Sequence, residues 1–297
     1  MKLTQVKGNT YVLEGWELIP LYKTDDTHCI LLDTGLPKEC LDIDNTLIEN
    51  GLTPVGIFGS HAHGDHSVNH SYFQKKYNIP VALPVGEAGL CGSLLALKAY
   101  FYMYSPKTNE GIVANMVLDT DVLIGRADGP VEFQGATFHV VHTPGHSPDH
   151  ISIITHDDVC YVGDALLSGK MLDAKIPYNF AHQAALDSYD LLLKLTCEKY
   201  ILAHRGVFED LTELAEINRK LVMDKADLIL SLITRPMNES DIYEAVCEHY
   251  TLLTSKPLKS AMMERNIHSY VEYLLDRGDL TDTPQHGIRY YARKEEA

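Results

Sequence analysis

The sequence predicts an α/β protein with a small, mostly helical domain at its C-terminal end. Three observations carry this. Apolar runs that end in glycine or turn residues alternate with stretches of helical spacing through residues 1–232. Histidines and aspartates recur where those runs end. Beyond Arg235-Pro236 the pattern turns helical, apart from a last apolar-aromatic run. A boundary near residue 234 therefore separates a main domain, 1–234, from a small one, 235–297.

Taken in order, YVLEG (11–15) and IPLYK (19–23) read as short strands, and HCILLDTG (28–35) as a buried strand running into turn residues. PKECLDIDNTLIENG (37–51) reads as a helix, with Pro37 near its start and Gly51 just past its end. VGIFGS (55–60) is a buried strand that leads into SHAHGDH (60–66), and VNHSYFQKKYN (68–78) has helical spacing. Residues 85–118 differ in texture. Their LLALKAYFYMY (94–104) is a core helix in its plain reading. In a functional reading it is a pocket wall, with Tyr100, Tyr102 or Tyr104 turned to a substrate. Strands return at PVEF (130–133), ATFHVVHT (136–143), ISIITH (151–156) and VCYVGD (159–164), with Asp157-Asp158 as a hairpin turn. QAALDSYDLLLKL (183–195) is a helix, KYILAHRG (199–206) a strand, and Asp210 to Leu232 a long amphipathic helix. NESDIYEAVCEH (238–249) and SAMMERNIHSYVEYLLDRG (260–278) follow as helices, and GIRYYAR (287–293) as a strand.

The 297 residues are 45% hydrophobic and carry a formal net charge of −16. That much acid disfavours broad nucleic-acid binding and favours a small-molecule substrate. The six cysteines are scattered without a C-x-x-C pair, which reads as reduced thiols rather than a disulfide framework or cysteine zinc site. After Met1-Lys2-Leu3 the chain turns polar, and LLALKAYFYMY is too short to span a bilayer and contains Lys98. The expectation is a cytoplasmic protein with no membrane segment.

In SHAHGDH, His61 and His63 lie two apart, so at a strand end they point the same way and converge on one ion. A turn at Gly64 lets Asp65 and His66 face a second point nearby. Imidazole and carboxylate suit zinc, manganese or iron. Four residues do not fill two ions, and three more candidates follow apolar runs: His146 in HTPGHSPDH, Asp164 in YVGDAL and His204 in ILAHRG. Ligands so placed are held by rigid strands yet reach solvent.

H-A-H-G-D-H resembles the H-x-H-x-D-H signature of the metallo-β-lactamase-fold hydrolases. T-P-G-H, then G-D-A, then a histidine after an apolar strand follow in that family's order, and LLDTG resembles its early D-T-G strand. The resemblance covers residues 1–232 and is glyoxalase II-like in type. The tail resembles the winged-helix-like domain of some members. It implies an αββα sandwich with a catalytic domain over 1–234. It implies two divalent ions, zinc first and manganese or iron as alternatives. His61, His63 and His146 would hold one ion, Asp65, His66 and His204 the other, and Asp164 would bridge them. Two such ions share a water and strip its proton, giving a hydroxide that Asp65 orients. Asn69 and Asp149 stand where many members have glycine, which leaves loop shape and substrate open.

The reaction expected is hydrolysis of a small ester, thioester or lactone. An endoribonuclease or phosphodiesterase is the alternative, and a mononuclear iron persulfide dioxygenase a third. Asp33 is either an acceptor for a ligand histidine's second nitrogen or a turn-capping carboxylate. His142 reads as structural, His150 is open between a supporting and a surface role, and His182 reads as part of a loop that could meet substrate. The tail lacks a basic stripe and is expected to pack on the catalytic domain, closing one side of the pocket or making a homodimer contact.

Overall fold

The computed structural model describes residues 1–204 and 206–294. Arg205, inside the KYILAHRG stretch, and residues 295–297, at the end of the expected small domain, lie outside the described residues. The first sheet holds β1 (Lys2–Lys7), β2 (Thr10–Glu14), β3 (Leu18–Lys23), β4 (His28–Leu31), β5 (Thr53–Phe58), β6 (Val81–Pro84) and β7 (Val122–Ile124), side by side in chain order. The second holds β8 (Gly129–Phe133), β9 (Ala136–His142), β10 (Ile151–Ile154), β11 (Val159–Gly163), β12 (Lys199–Leu202) and β13 (Val207–Phe208), also adjacent in sequence order.

Helices supply the crossovers that parallel strands need. In the first sheet, α1 (Cys40–Glu49) joins β4 to β5, and α2 (Gly64–Ser67) with α3 (His70–Tyr77) joins β5 to β6. Then α4 (Val85–Cys91), α5 (Leu94–Tyr100) and α6 (Pro106–Val113) join β6 to β7. In the second sheet, α7 (His182–Leu192) joins β11 to β12. After β13 come α8 (Thr212–Leu232), α9 (Glu239–His249), α10 (Pro257–Asp276) and a hairpin of β14 (Leu280–Gln285) and β15 (Ile288–Arg293).

The apolar pattern of the central strands explains the layering. In and just after β4, Ile30 and Leu32 pack between the sheets with Phe58, Phe138 and Tyr161. Their neighbours Cys29 and Leu31 pack outward with Ile43, Leu47 and Phe73 of the first helical layer. A strand buried on both faces reads as a continuous apolar run, as HCILL does. On the far side, Val162 and Leu202 pack outward onto Ala185, Tyr189, Val222 and Ile229. The result is helix, sheet, sheet, helix. The same outer core continues without a break into Ile242, Val246, Tyr270, Leu274 and Tyr291. The tail therefore packs on α7 and α8, and removing residues 236–297 would uncover a buried apolar face.

Several elements differ from the sequence reading. LLALKAYFYMY is helical only as far as Tyr100, and Phe101 to Tyr104 leave the helix in a turn. Polar LTDTPQ gives no strand signal, yet pairs as β14 with β15 through the His286-Gly287 turn. His182 is not in a loop. It opens α7, buried, with Nε2 3.1 Å from Ser269 Oγ and its ring 3.8 Å from that of Tyr270. It pins α10. Among the described residues, no helix is long and apolar enough to cross a membrane.

Candidate metal centre

Five strand exits meet at one edge of the sandwich. The end of β4 delivers Asp33, β5 delivers residues 60–66, β9 the His146 loop, β11 Asp164, and β12 His204. All seven residues singled out from the sequence come together there.

Hydrogen bonds fix which nitrogen each imidazole turns inward. Ser60 Oγ donates its one proton to Asp33 Oδ2 at 2.5 Å, so it accepts from His61 Nδ1 at 2.9 Å. That leaves the lone pair on His61 Nε2, which is buried without a hydrogen-bond partner among the described residues. His66 Nδ1 lies 2.9 Å from Asp33 Oδ2, turning Nε2 to the centre. His63 Nε2 meets Tyr100 Oη at 2.7 Å, and its Nδ1 faces His146 Nε2 at 2.8 Å. Burial pushes the Tyr100 phenol well above its ordinary range, so it keeps its proton.

Asp164 sits in the middle. Its Oδ2 is 3.1 Å from His204 Nε2 and 3.4 Å from both His66 Nε2 and His146 Nε2. Asp65 stands at the rim, one-third exposed, 3.9 Å from His204 Nε2. Besides Asp33, His61 and His66, two sets of ligand atoms among the described residues lie mutually within 4.8 Å: His61, His63 and His146, and Glu17, Asp65, His66 and His204.

The two sets differ electrostatically. Burial, then neighbouring imidazoles, hold His61 and His63 well below the usual histidine range, and burial takes His146 down to about 4. Burial would lower His66 too, but the Asp164 and Glu17 carboxylates win and hold it well above. His204 is likewise raised against burial by Asp164. Burial opposes ionisation of Asp164, yet His66 and His204 keep it well below the carboxylate range. Burial carries Glu17 up to about 8.

Supporting residues explain much of the remaining sequence. Asp33, left-handed at φ +67°, accepts from Ser60 N, Ser60 Oγ and Tyr161 Oη as well as facing His66, so its oxygens are committed to holding ligands. His150 is buried beneath the centre, where its Nε2 accepts from Asp164 N at 3.2 Å and its Nδ1 meets Thr143 Oγ1 at 2.9 Å. His142, half-buried, donates its backbone N–H to Asp128 Oδ1 and sets its Nδ1 2.9 Å from the same oxygen, a structural contact. Asn69 bonds the carbonyls of Thr34, Gly35 and Leu36, and Asp149 caps Gly86 N, which gives both departures from glycine a local task. In T-P-G-H, Gly145 has φ +131° and a Cβ there would lie 2.3 Å from Ala185 N, so only glycine lets the His146 loop rest on α7.

Sequence reasoning missed three features. Glu17 is a lone acid in a turn. Glu87 on α4 accepts from Ala62 N, Ser147 Oγ and Asp149 N, clasping the two ligand loops together. Arg265 of α10 bonds Tyr178 Oη and lies 4.1 Å from the Tyr178 ring centroid and 4.6 Å from that of Tyr100. Tyr178 Oη is 3.1 Å from Tyr100 Oη, so the tail walls the His63 side. Of the three tyrosines considered, Tyr100 faces the centre. Tyr102 turns to His268, and Tyr104 stacks on Phe101. On the other side a cleft of about 260 Å³ opens beside His204, lined by Trp16, Gly169, Lys170 and Met171.

The residues fit divalent cations. Buried polar atoms are nearly always paired. Here His61 Nε2, His66 Nε2, Asp164 Oδ1 and Glu17 Oε1 are buried without hydrogen-bond partners among the described residues. Imidazole and carboxylate are the donors such ions take.

A family model for the metallo-beta-lactamase superfamily matches residues 3–204. The probable metallo-hydrolase YqgX of Bacillus subtilis is 28% identical over 172 residues, 57% of this chain and 71% of that protein. Hydroxyacylglutathione hydrolase 1 of Vibrio vulnificus is 25% identical over 223 residues, 68% of this chain and 76% of its own. The crystal structure of a metallo-beta-lactamase family protein from Thermus thermophilus superposes at a TM-score of 0.73. It covers 96% of this chain and 99% of its own at 20% identity, a likeness of fold.

Proposed function

Because the chain belongs to the metallo-β-lactamase superfamily and is a metal-dependent hydrolase of it, we propose that it cleaves a small ester, thioester or lactone at a two-ion centre. One observation carries this reading: the nitrogens of His66, His146 and His204 converge on a single oxygen of Asp164. His61, His63 and His146 would hold one ion, Asp65, His66 and His204 the second, with Asp164 between them. Two bound divalent ions supply the Lewis acidity that polarises a carbonyl and acidifies water at neutral pH.

The chain's own residues do the rest. Asp65, at the rim, accepts a hydrogen bond from the attacking water and takes up its proton. Asp33 and Ser60 keep His66 and His61 in the tautomers that leave lone pairs inward. Tyr100, with its proton turned to Tyr178 Oη, accepts from His63 Nε2 and does the same for His63. Trp16 and Met171 give the cleft beside His204 an apolar lining for an acyl group, with Lys170 at hand for an anionic one. A cleft of about 260 Å³ suits a metabolite-sized group. The similarity to hydroxyacylglutathione hydrolase 1 supports testing acylated thiols first.

The test is elemental analysis of protein purified without added metal, followed by thioester, lactone, ester and phosphodiester panels. Two ions per chain with thioester or lactone turnover is the expected result. One iron per chain with oxygen uptake, or cleavage of single-stranded RNA with no acyl turnover, would replace this reading.

A further inference from the structure

Glu17 has no place in the ligand set above, yet it is built into the same centre. It lies in the turn between β2 and β3 and is 2% exposed. Leu18 N donates to Ala203 O at 2.8 Å, which ties this turn to the strand end that carries His204. Its Oε2 is 3.9 Å from His66 Nε2 and its Oε1 is 3.8 Å from His204 Nδ1. These separations exceed hydrogen-bond reach, about 2.7–3.2 Å, so Glu17 is not orienting either imidazole as an acceptor. Oε1 lies on the Nδ1 side of His204, whereas His204 Nε2 faces Asp164 and Asp65, so Oε2, on the His66 Nε2 side, is the oxygen placed toward an ion there. One atom each of Glu17, Asp65, His66 and His204 lies within 4.8 Å of the others, a set that one ion can draw together with bonds of about 2.0–2.2 Å. Oε1 is buried without a hydrogen-bond partner among the described residues.

Resting on the two-ion reading, we propose that Glu17 is a further carboxylate ligand of the ion held by Asp65, His66 and His204. The two positions then differ in kind. Counting Asp164 at both, one has three imidazoles and one carboxylate, the other two imidazoles and three carboxylates. Imidazole-rich sets suit zinc, and added carboxylates raise the relative affinity for harder ions such as manganese(II). Glu17 shifts the second position toward manganese(II) without altering the first.

Metal-free wild type, Glu17→Gln and Glu17→Asp are titrated with manganese(II), followed by electron paramagnetic resonance of the free ion. Zinc is titrated against a chelating dye, and cobalt(II) is followed by its visible absorption. Thermal melting of the metal-free proteins checks the fold. Glu17→Gln is expected to lower manganese affinity by about 10–100-fold, with the tighter zinc position changing little. Its cobalt absorption is expected to intensify as the ion loses a ligand, a change that a merely structural role would not produce. Glu17→Asp, with the charge on a shorter arm, should fall between, and it carries the comparison if the glutamine variant does not fold. Unchanged manganese affinity with superimposable cobalt spectra overturns the ligand role alone. Wild type that binds fewer than two ions overturns the two-ion reading, and this inference with it.

Discussion

At one end of the centre, His61, His63 and His146 are buried imidazoles pushed toward neutrality by burial and by one another. At the other, His66 and His204 are surrounded by Glu17, Asp65 and Asp164, and their affinity for protons rises. The residue type is the same, and its neighbours set the direction in which its affinity for protons moves. The walls differ as well. The histidine-rich end is backed by Tyr100, Tyr178 and, from the tail, Arg265. The carboxylate-rich end opens into the cleft of Trp16 and Met171. Among the described residues, the tail contributes to the histidine-rich end.

The largest effect is expected where the ends join. Asp164→Ala should lower kcat/KM by roughly 10³-fold or more and weaken both ions, read by kinetics and elemental analysis. If either position keeps its ion at wild-type affinity, the two ends are not joined through Asp164. Next, Asp65→Ala should cost about 10²–10⁴-fold in turnover while the melting temperature of the metal-free protein holds, because a rim carboxylate supports no core. The histidine-rich end should keep its ion. Near-wild-type turnover would break the proposed division of labour.

A smaller pair of changes sharpens the contrast. Asp33 touches His66 directly and His61 through Ser60, so Asp33→Asn should weaken both positions by about 10–100-fold. Tyr100→Phe should weaken only the histidine-rich position, by about tenfold. Equal effects of Tyr100→Phe on both positions would argue against separate walls.

The smallest effect concerns the tail. His268, one turn from Arg265 on α10, is raised to about 9, chiefly by hydrogen bonds to Glu239 and Glu272. Its folded pKa exceeds its unfolded value, so its contribution to stability is full below about pH 6.5 and is lost as pH rises through about 9. In metal-free protein, His268→Gln should flatten that part of the stability profile. Parallel profiles for wild type and variant would exclude this linkage.

How far all this was readable from sequence follows physical locality. H-A-H-G-D-H is contiguous, and His146, Asp164 and His204 each follow an apolar strand, so position on a strand end exposed them. The α/β class was legible for the same reason, from buried strands such as HCILL alternating with helical stretches, while the four-layer order came from the family resemblance. Glu17 was silent because a single acid in GWEL carries no period or spacing. Arg265 was silent because its target, Tyr178, is 87 residues away and an arginine on an amphipathic helix looks like solvent face. His182 misled because it stands at a helix start, whose turn-like flanks hid its burial against Tyr270.

The Glu87 clasp has a consequence for how ions come and go. Because it bonds Ala62, Ser147 and Asp149 together, the loop of His61 and His63 and the loop of His146 are one mechanical piece. An ion taken by His61, His63 and His146 would meet a socket whose two halves are already tied to each other. Loading at that end would then call for an exchange of ligands more than for a movement of backbone.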